Sequence, residues 1–218
     1  MRDRDIAKVI ALIKSAIRVE RLPMIDAASV GRTDPYRILI STLLSLRTKD
    51  EVTCLADGRL FALASTPEEM VSLSEKVISD AIYPVGFYRK KAETIRYVSR
   101  ELIERFGSQV PRSVEELVGI RGVGRKTANL VVSAGYGLPA LCVDTHVHRV
   151  SNRLGYVSET TPDKTESALR RKLPKRFWIE FNSLIVAFGK TICRPVSPKC
   201  SSCPVISYCE RVGVTTSR

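Results

Sequence analysis

Apolar residues recur at three- and four-residue spacing along most of the chain, the period of helices that pack one face on a core. Ile6, Val9, Ile10, Ile13 and Ile17 form the first such stripe. It predicts an amphipathic helix whose other face, carrying Lys8, Lys14, Arg18 and Arg21, is solvated. Helix starts carry their own chemistry. Asp34-Pro35 sets an N-cap acceptor before a proline at the first helical position and opens the apolar run Ile38 to Leu46. Thr48 with Glu51, Thr66-Pro67 with Glu69, and Ser113 with Glu116 each read as a capping box. Gly107 and Gly155 read as C-caps. Thr161-Pro162 opens another helix, and Pro174 begins the last long one, through Trp178 and Phe181 to about Thr191. Short apolar pieces such as Leu141 to Val143 are too brief to build a sheet. The expected fold is all-α, and after Ile192 the helical pattern gives way to Cys, Pro and Ser.

Charge adds a first hint of function. Lysine and arginine number 35 against 23 acidic residues, a net charge of +12 over 218 residues. An excess of that size favours a polyanionic partner, nucleic acid above all, with an ion-pair-rich or simply basic surface as the plain alternative. Charges run throughout Met1 to Pro23, so no apolar stretch there reaches signal-peptide length, and no transmembrane span is read. The expectation is a cytoplasmic, nucleoid-associated protein with no membrane partner. Six cysteines in that setting argue for metal ligands or free thiols rather than disulfides.

Between two helical patterns lies Leu117-Val-Gly-Ile-Arg-Gly-Val-Gly-Arg-Lys-Thr127. Gly119, Gly122 and Gly124 permit positive φ and close approach of another chain. A turn of this kind before a helix aims N–H groups at an anion, so it reads as a clamp on a DNA backbone that is indifferent to base identity. Ile120 and Val123 would anchor the turn to the core. A helix–turn–helix connection that merely needs flexible residues fits the same glycines. Lys126 falls in the first turn of the following helix. That setting, at the positive end of the helix dipole beside Arg121 and Arg125, reads as a candidate nucleophilic amine, with an ordinary solvated lysine at a helix end as the plain alternative.

Cys193, Cys200, Cys203 and Cys209 crowd into 17 residues amid prolines, a metal centre by composition. Four thiolates accept tetrahedral zinc or a cubane iron–sulfur cluster equally well, and the spacing is not that of two-cluster ferredoxins. Arg194, Lys199 and Arg211 flank the loop and add backbone-phosphate contacts to its reach. Cys54 and Cys142 sit in apolar surroundings and read as small buried hydrophobes.

Gly119-Ile-Arg-Gly-Val-Gly-Arg-Lys-Thr-Ala-Asn129 resembles the helix–hairpin–helix of the endonuclease III family. Val143-Asp-Thr-His-Val-His-Arg-Val-Ser-Asn-Arg153 resembles that family's aspartate segment, and the interval of 18 residues from Lys126 to Asp144 matches. Similarity runs from about Asp34 to Cys209, through Leu43-Leu-Ser and Gly86-Phe-Tyr-Arg-Lys-Lys-Ala92. The resemblance implies a bifunctional DNA glycosylase and abasic-site lyase with Lys126 as nucleophile and Asp144 as its carboxylate partner. Asp144 also suits the N-cap of a helix beginning at Thr145. It implies a four-iron four-sulfur cluster on the four cysteines. The implied partner is duplex DNA with oxidised pyrimidines or abasic sites, bound by a monomer. Two lobes follow: residues 24–133, a bundle ending in the hairpin of about 114–135, and residues 1–23 with 134–218, carrying the loop 193–209, with DNA across the cleft.

The family commonly fills the gap left by a flipped nucleotide with a glutamine after Leu-Leu-Ser. Here Arg47 takes that place, where an arginine can stack in the gap and pair with the orphan base, or simply be a surface arginine at a helix end. Arg121 stands where the family usually has proline, adding charge beside DNA. His146 and His148 read as structural, with His146 near enough to Asp144 to tune it. Two other readings remain: a monofunctional mismatch or uracil glycosylase on the same scaffold, and a non-catalytic iron–sulfur DNA-binding protein.

Overall fold

The computed structural model describes residues 1–17 and 34–218. Arg18 and Arg21 of the expected first helix, and the expected lobe boundary at residues 23 and 24, lie outside the described residues. Among those described, all regular structure is helical and no strand occurs. The chain divides into two units, Met1–Ala28 with Pro139–Arg218, and Ser29–Leu138.

The second unit is built around α2 (Pro35–Ser45), and its sequence explains why that helix is central. Ile38, Leu39, Ile40, Leu43 and Leu44 face every direction, and all are buried. Asp34 caps it by accepting from the N–H groups of Tyr36 and Arg37, ahead of Pro35. Against α2 pack α3 (Asp50–Phe61) and α6 (Tyr88–Phe106). Tyr36 reaches α6 through a buried hydroxyl contact of 2.7 Å with Ser99. α4 (Pro67–Ser72) and α5 (Glu75–Ile82) lie on α6 through Met70, Ile78 and Ile82. Thr66 and Glu69 form the expected reciprocal capping box. Gly107 ends α6 in the left-handed conformation, φ +55°. Thr48 and Glu51 do not form theirs: α3 opens at Asp50 after Lys49, without a side-chain cap, because the Thr48 hydroxyl is engaged elsewhere. Cys54 corrects another expectation. It is exposed on α3, whereas Cys142 is buried.

α7 (Val114–Val118) and α8 (Arg125–Leu130) close this unit, and α8 runs on into a π-helical turn, Val131–Gly135. Gly135, the last residue of that turn, packs closely on the start of α2, where an added Cβ would lie 3.2 Å from Pro35.

The first unit gathers the stripe of α1 (Ile6–Ala16) with α9 (Thr145–Arg153), α10 (Pro162–Lys172) and α11 (Trp178–Thr191). Ile6, Val9, Ile10 and Ile13 join Val147, Val150, Leu169, Phe181, Leu184 and Phe188 in one core. Burying each such side chain contributes about 1.5–3 kcal/mol. The long helix expected from Pro174 is in two parts, a 3-10 turn at Lys175–Phe177 and then α11. Cys193, Cys203 and Cys209 pack against the edge of this core. No helix among the described residues is long and apolar enough to cross a membrane.

Candidate active site and metal centre

The hairpin between α7 and α8 is held from below and exposed above. Ile120 and Val123 are buried, as expected of anchors, while Arg121, Gly122, Gly124, Arg125 and Lys126 are exposed. Backbone bonds Ile120 N–H to Leu117 O and Val123 N–H to Ile120 O tighten the turn. Of its three glycines only Gly122 has a positive φ, +98°. Gly119 is an ordinary right-handed C-cap and Gly124 an extended N-cap, so the expected conformational need holds at one position. Gly122 is also pressed on α6, where an added Cβ would lie 2.6 Å from Thr94 Cγ2. With glycine at the N-cap, α8 has no side chain to cap its first turn, whose amides the helix itself does not consume. Lys126 is the second residue of that turn. Arg121 lies over the Tyr97 ring of α6 at 4.5 Å, which fixes its guanidinium at the foot of the hairpin.

Asp144 is the N-cap of α9, as its sequence context implied. One carboxylate oxygen, Oδ1, accepts from the N–H groups of His146 and Val147, both at 2.9 Å. The histidines are held by protein groups. His146 Nδ1 meets Arg149 Nη2 at 3.1 Å, and His148 Nδ1 meets the Thr165 hydroxyl at 2.8 Å. The Arg149 guanidinium goes on to the carbonyls of Gly189 and Cys193, both at 3.0 Å, and so links α9 to the start of the cysteine loop.

Cys193, Cys200, Cys203 and Cys209 line one cavity with Phe188, Ile192 and Val205. Its void, counting the part open to solvent, is about 380 Å³. Arg153 points Nη1 at Cys193 Sγ (3.7 Å), and the Arg211 N–H points at Cys209 Sγ (3.4 Å). Burial pushes the Cys203 thiol up to about 11 and raises Cys209 as well. Thiolates in this setting therefore call for a cationic group to hold them ionised. No three His, Cys, Asp or Glu side chains among the described residues converge closely enough for a single metal ion.

A further feature, given no role by the sequence beyond Arg47, lies where α2 ends and α6 begins. Arg47 is exposed in the left-handed conformation, φ +55°, and Phe87 faces it in the same conformation, φ +59° and 65% exposed. The guanidinium lies over the Phe87 ring at 5.9 Å. Non-glycine residues pay roughly 1–2 kcal/mol for this backbone. Gly86 lets the two segments meet, since a Cβ there would lie 2.8 Å from the Arg47 carbonyl oxygen. Lys91 is buried beneath them. Sequence carried a signal for it: Lys91, Ile95, Val98 and Leu102 share one helical stripe, and the other three are core residues.

An all-helical chain with a glycine hairpin leading to an exposed lysine matches a known class. Residues 40–175 fit the model of the HhH-GPD superfamily base excision DNA repair protein. Endonuclease III of Thermotoga maritima is 49% identical over 178 residues, 82% of this chain and 84% of that protein. A solved structure of a non-covalent endonuclease III–DNA complex superposes with a TM-score of 0.84 at 31% identity, covering 97% of this chain and 96% of that one. A trapped endonuclease III–DNA covalent intermediate gives the same score, covering 97% of each. The chain belongs to the endonuclease III family and is a DNA glycosylase/AP lyase of base excision repair.

Proposed function

We propose that the chain removes oxidised pyrimidines from duplex DNA and nicks the strand at the resulting site, with Lys126 as the nucleophile. The observation that carries this reading is the position of Lys126, exposed one residue into α8 at the tip of the hairpin. Its amine attacks C1′ of the damaged nucleotide, and the bond from C1′ to the base breaks as the base leaves with a proton. Ring opening of the sugar gives the imine. Loss of the C2′ proton then expels the 3′ phosphate, breaking the C3′–O bond. Asp144 is assigned the electrostatic part, holding the cationic sugar and assisting proton transfers, since a carboxylate is anionic at neutral pH and can orient an amine. The cap fixes that carboxylate through two backbone N–H groups.

Gly119, Gly122, Gly124 and Arg125 present the hairpin to the DNA backbone, with Arg121 beside them. Arg47, with Phe87 against it, is assigned the gap left by the flipped nucleotide: a guanidinium to pair with the orphan base and an aromatic face to stack. Cys193, Cys200, Cys203 and Cys209 are assigned to a four-iron four-sulfur cluster, for which the four thiols lining one cavity offer the donors. When bound, the cluster supplies a rigid cationic cross-link for the loop. Arg149 and Arg153 tie that loop to α9, the helix that Asp144 caps. Purified protein should accordingly carry iron and acid-labile sulfide in equal amounts. We further assign the chain a monomeric state and a place with the chromosome in the cell.

Borohydride trapping tests the nucleophile. Wild-type chain should form a covalent adduct with duplex DNA holding an abasic site, and Lys126→Ala should form none while keeping its melting temperature. An adduct that survives in Lys126→Ala, or the absence of any wild-type adduct, would sink the assignment, the second outcome in favour of a monofunctional glycosylase.

A further inference from the structure

We propose that Lys91 is a positioning residue for Arg47, a buried latch that ties the last turn of α2 and the loop after it to the start of α6. This rests on the reading of Arg47 as the gap-filling side chain. Lys91 Nζ donates to the Leu44 carbonyl at 2.7 Å, the Leu46 carbonyl at 2.6 Å and the Thr48 hydroxyl at 3.2 Å. An ammonium has three donors, and these acceptors use all three. They bracket Arg47: Leu46 precedes it and Thr48 follows it. The same Thr48 oxygen accepts from the Gly86 N–H at 3.2 Å, one residue before Phe87. Backbone on both sides of the Arg47–Phe87 pair is thus gathered on one nitrogen and one hydroxyl.

Folding accounts for a donor to the last carbonyls of α2 but not for a full charge, since none of the three acceptors is an acid. What the ammonium adds is direction. It holds two carbonyls and a hydroxyl in a fan that keeps Arg47 in a left-handed conformation an arginine otherwise avoids. Leu44 and Leu46 lie at the C-terminal end of α2, where a positive charge also meets the negative end of the helix dipole.

The test is a double-mutant cycle in single-turnover nicking of one oligonucleotide carrying an abasic site, as duplex and as single strand. Lys91→Met is expected to nick the duplex roughly 10-fold more slowly while keeping its single-strand rate, because only the duplex has a gap to fill. Arg47→Ala is expected to lose a similar factor on the duplex, and the double variant no more than Arg47→Ala alone. Additive losses in the double variant overturn the latch and make Lys91 an independent contributor. Lys91→Met at the wild-type rate, with Arg47→Ala slow, overturns the latch and leaves Arg47 in place. Arg47→Ala at the wild-type rate removes the reading on which the latch rests. Should Lys91→Met fail to fold, Thr48→Val replaces it, removing one acceptor and the Gly86 bond while leaving Lys91 in place. It is expected to lose about 3-fold on the duplex and nothing further beside Arg47→Ala, whereas an additive loss overturns the proposal.

Discussion

Two lysines of the same helical unit stand at opposite extremes. Lys126 is exposed at the tip of a hairpin, one residue into a short helix whose N-cap is glycine. Lys91 is 9% exposed, with its three donors spent on two carbonyls and a hydroxyl. One has the access that a nucleophile needs, and the other has the fixed partners that a structural cation needs. On the proposed roles the two lysines differ in access to their nitrogens, and a single measurement separates them. Lys126→Ala should lower single-turnover nicking on the order of 10³-fold or more, as loss of a covalent nucleophile does. Lys91→Met should lower it only about 10-fold and leave borohydride trapping intact. Equal losses in the two variants would erase the contrast.

The two also differ in how pH reaches them. Burial pushes Lys91 down to about 8 from its ordinary 10.5. A base lowered on folding binds its proton less tightly in the folded chain than in the unfolded one. Between pH 8 and 10.5 the unfolded state therefore holds more protons, and stability rises with pH across that window. Below pH 8 both states are charged and the penalty is fully present. Urea melts of wild type and Lys91→Met should diverge over this range, with wild type gaining stability relative to the variant as pH rises. Parallel curves would show that the ammonium is not desolvated as its burial implies.

Much of the hairpin side was legible from residues alone, because its signals are local. The turn bonds from Ile120 to Leu117 and from Val123 to Ile120, and the cap from Asp144 to His146 and Val147, all span two or three positions, whereas the contacts of Arg121 with Tyr97 and of Gly122 with Thr94 do not. The all-helical fold was legible for the same reason, from stripes such as Ile6 to Ile13 and caps such as Thr66 and Asp34. The Lys91 side was not. Its acceptors lie more than 40 residues back in the chain, and nothing near Thr48 announces that its hydroxyl serves Gly86 rather than a capping box. Cys54 misled in a similar way, since apolar neighbours in sequence do not say which face of α3 they share. Positive φ at Arg47 and Phe87 was hidden too, because neither residue type favours it and only packing enforces it.

Each side also rests on one glycine, and the two should respond differently to alanine. At Gly86 an added Cβ meets the Arg47 carbonyl at 2.8 Å, which is backbone and yields only if the turn shifts. At Gly122 it meets Thr94 Cγ2 at 2.6 Å, the far end of a side chain that can rotate, so the positive φ is the main cost. Gly86→Ala should cost about 2–3 kcal/mol and Gly122→Ala about 1–2 kcal/mol. Adding Thr94→Ala should recover part of the second loss. Chemical denaturation of the three variants decides it, and an equal or reversed order would mean that the two segments near Arg47 are not as tightly opposed as described.

The smallest effect isolates what the backbone at Arg47 is for. Its φ of +55° costs an arginine roughly 1 kcal/mol, while a glycine adopts it freely but loses about as much through the entropy of the unfolded chain. Arg47→Gly should therefore leave stability within about 0.5 kcal/mol of wild type. Arg47→Val, β-branched and worse suited to this conformation, should lose about 1 kcal/mol. Both variants lack the guanidinium over Phe87, so both should nick duplex DNA more slowly by the same factor. If Arg47→Gly keeps the wild-type rate, the strained turn alone serves the reaction and the guanidinium is incidental. If the two variants differ in rate as they differ in stability, the loss follows folding rather than the gap. Equal slowing at unequal stability is the outcome that assigns the strain to presenting Arg47, and with it the reason for a buried cation beneath the loop.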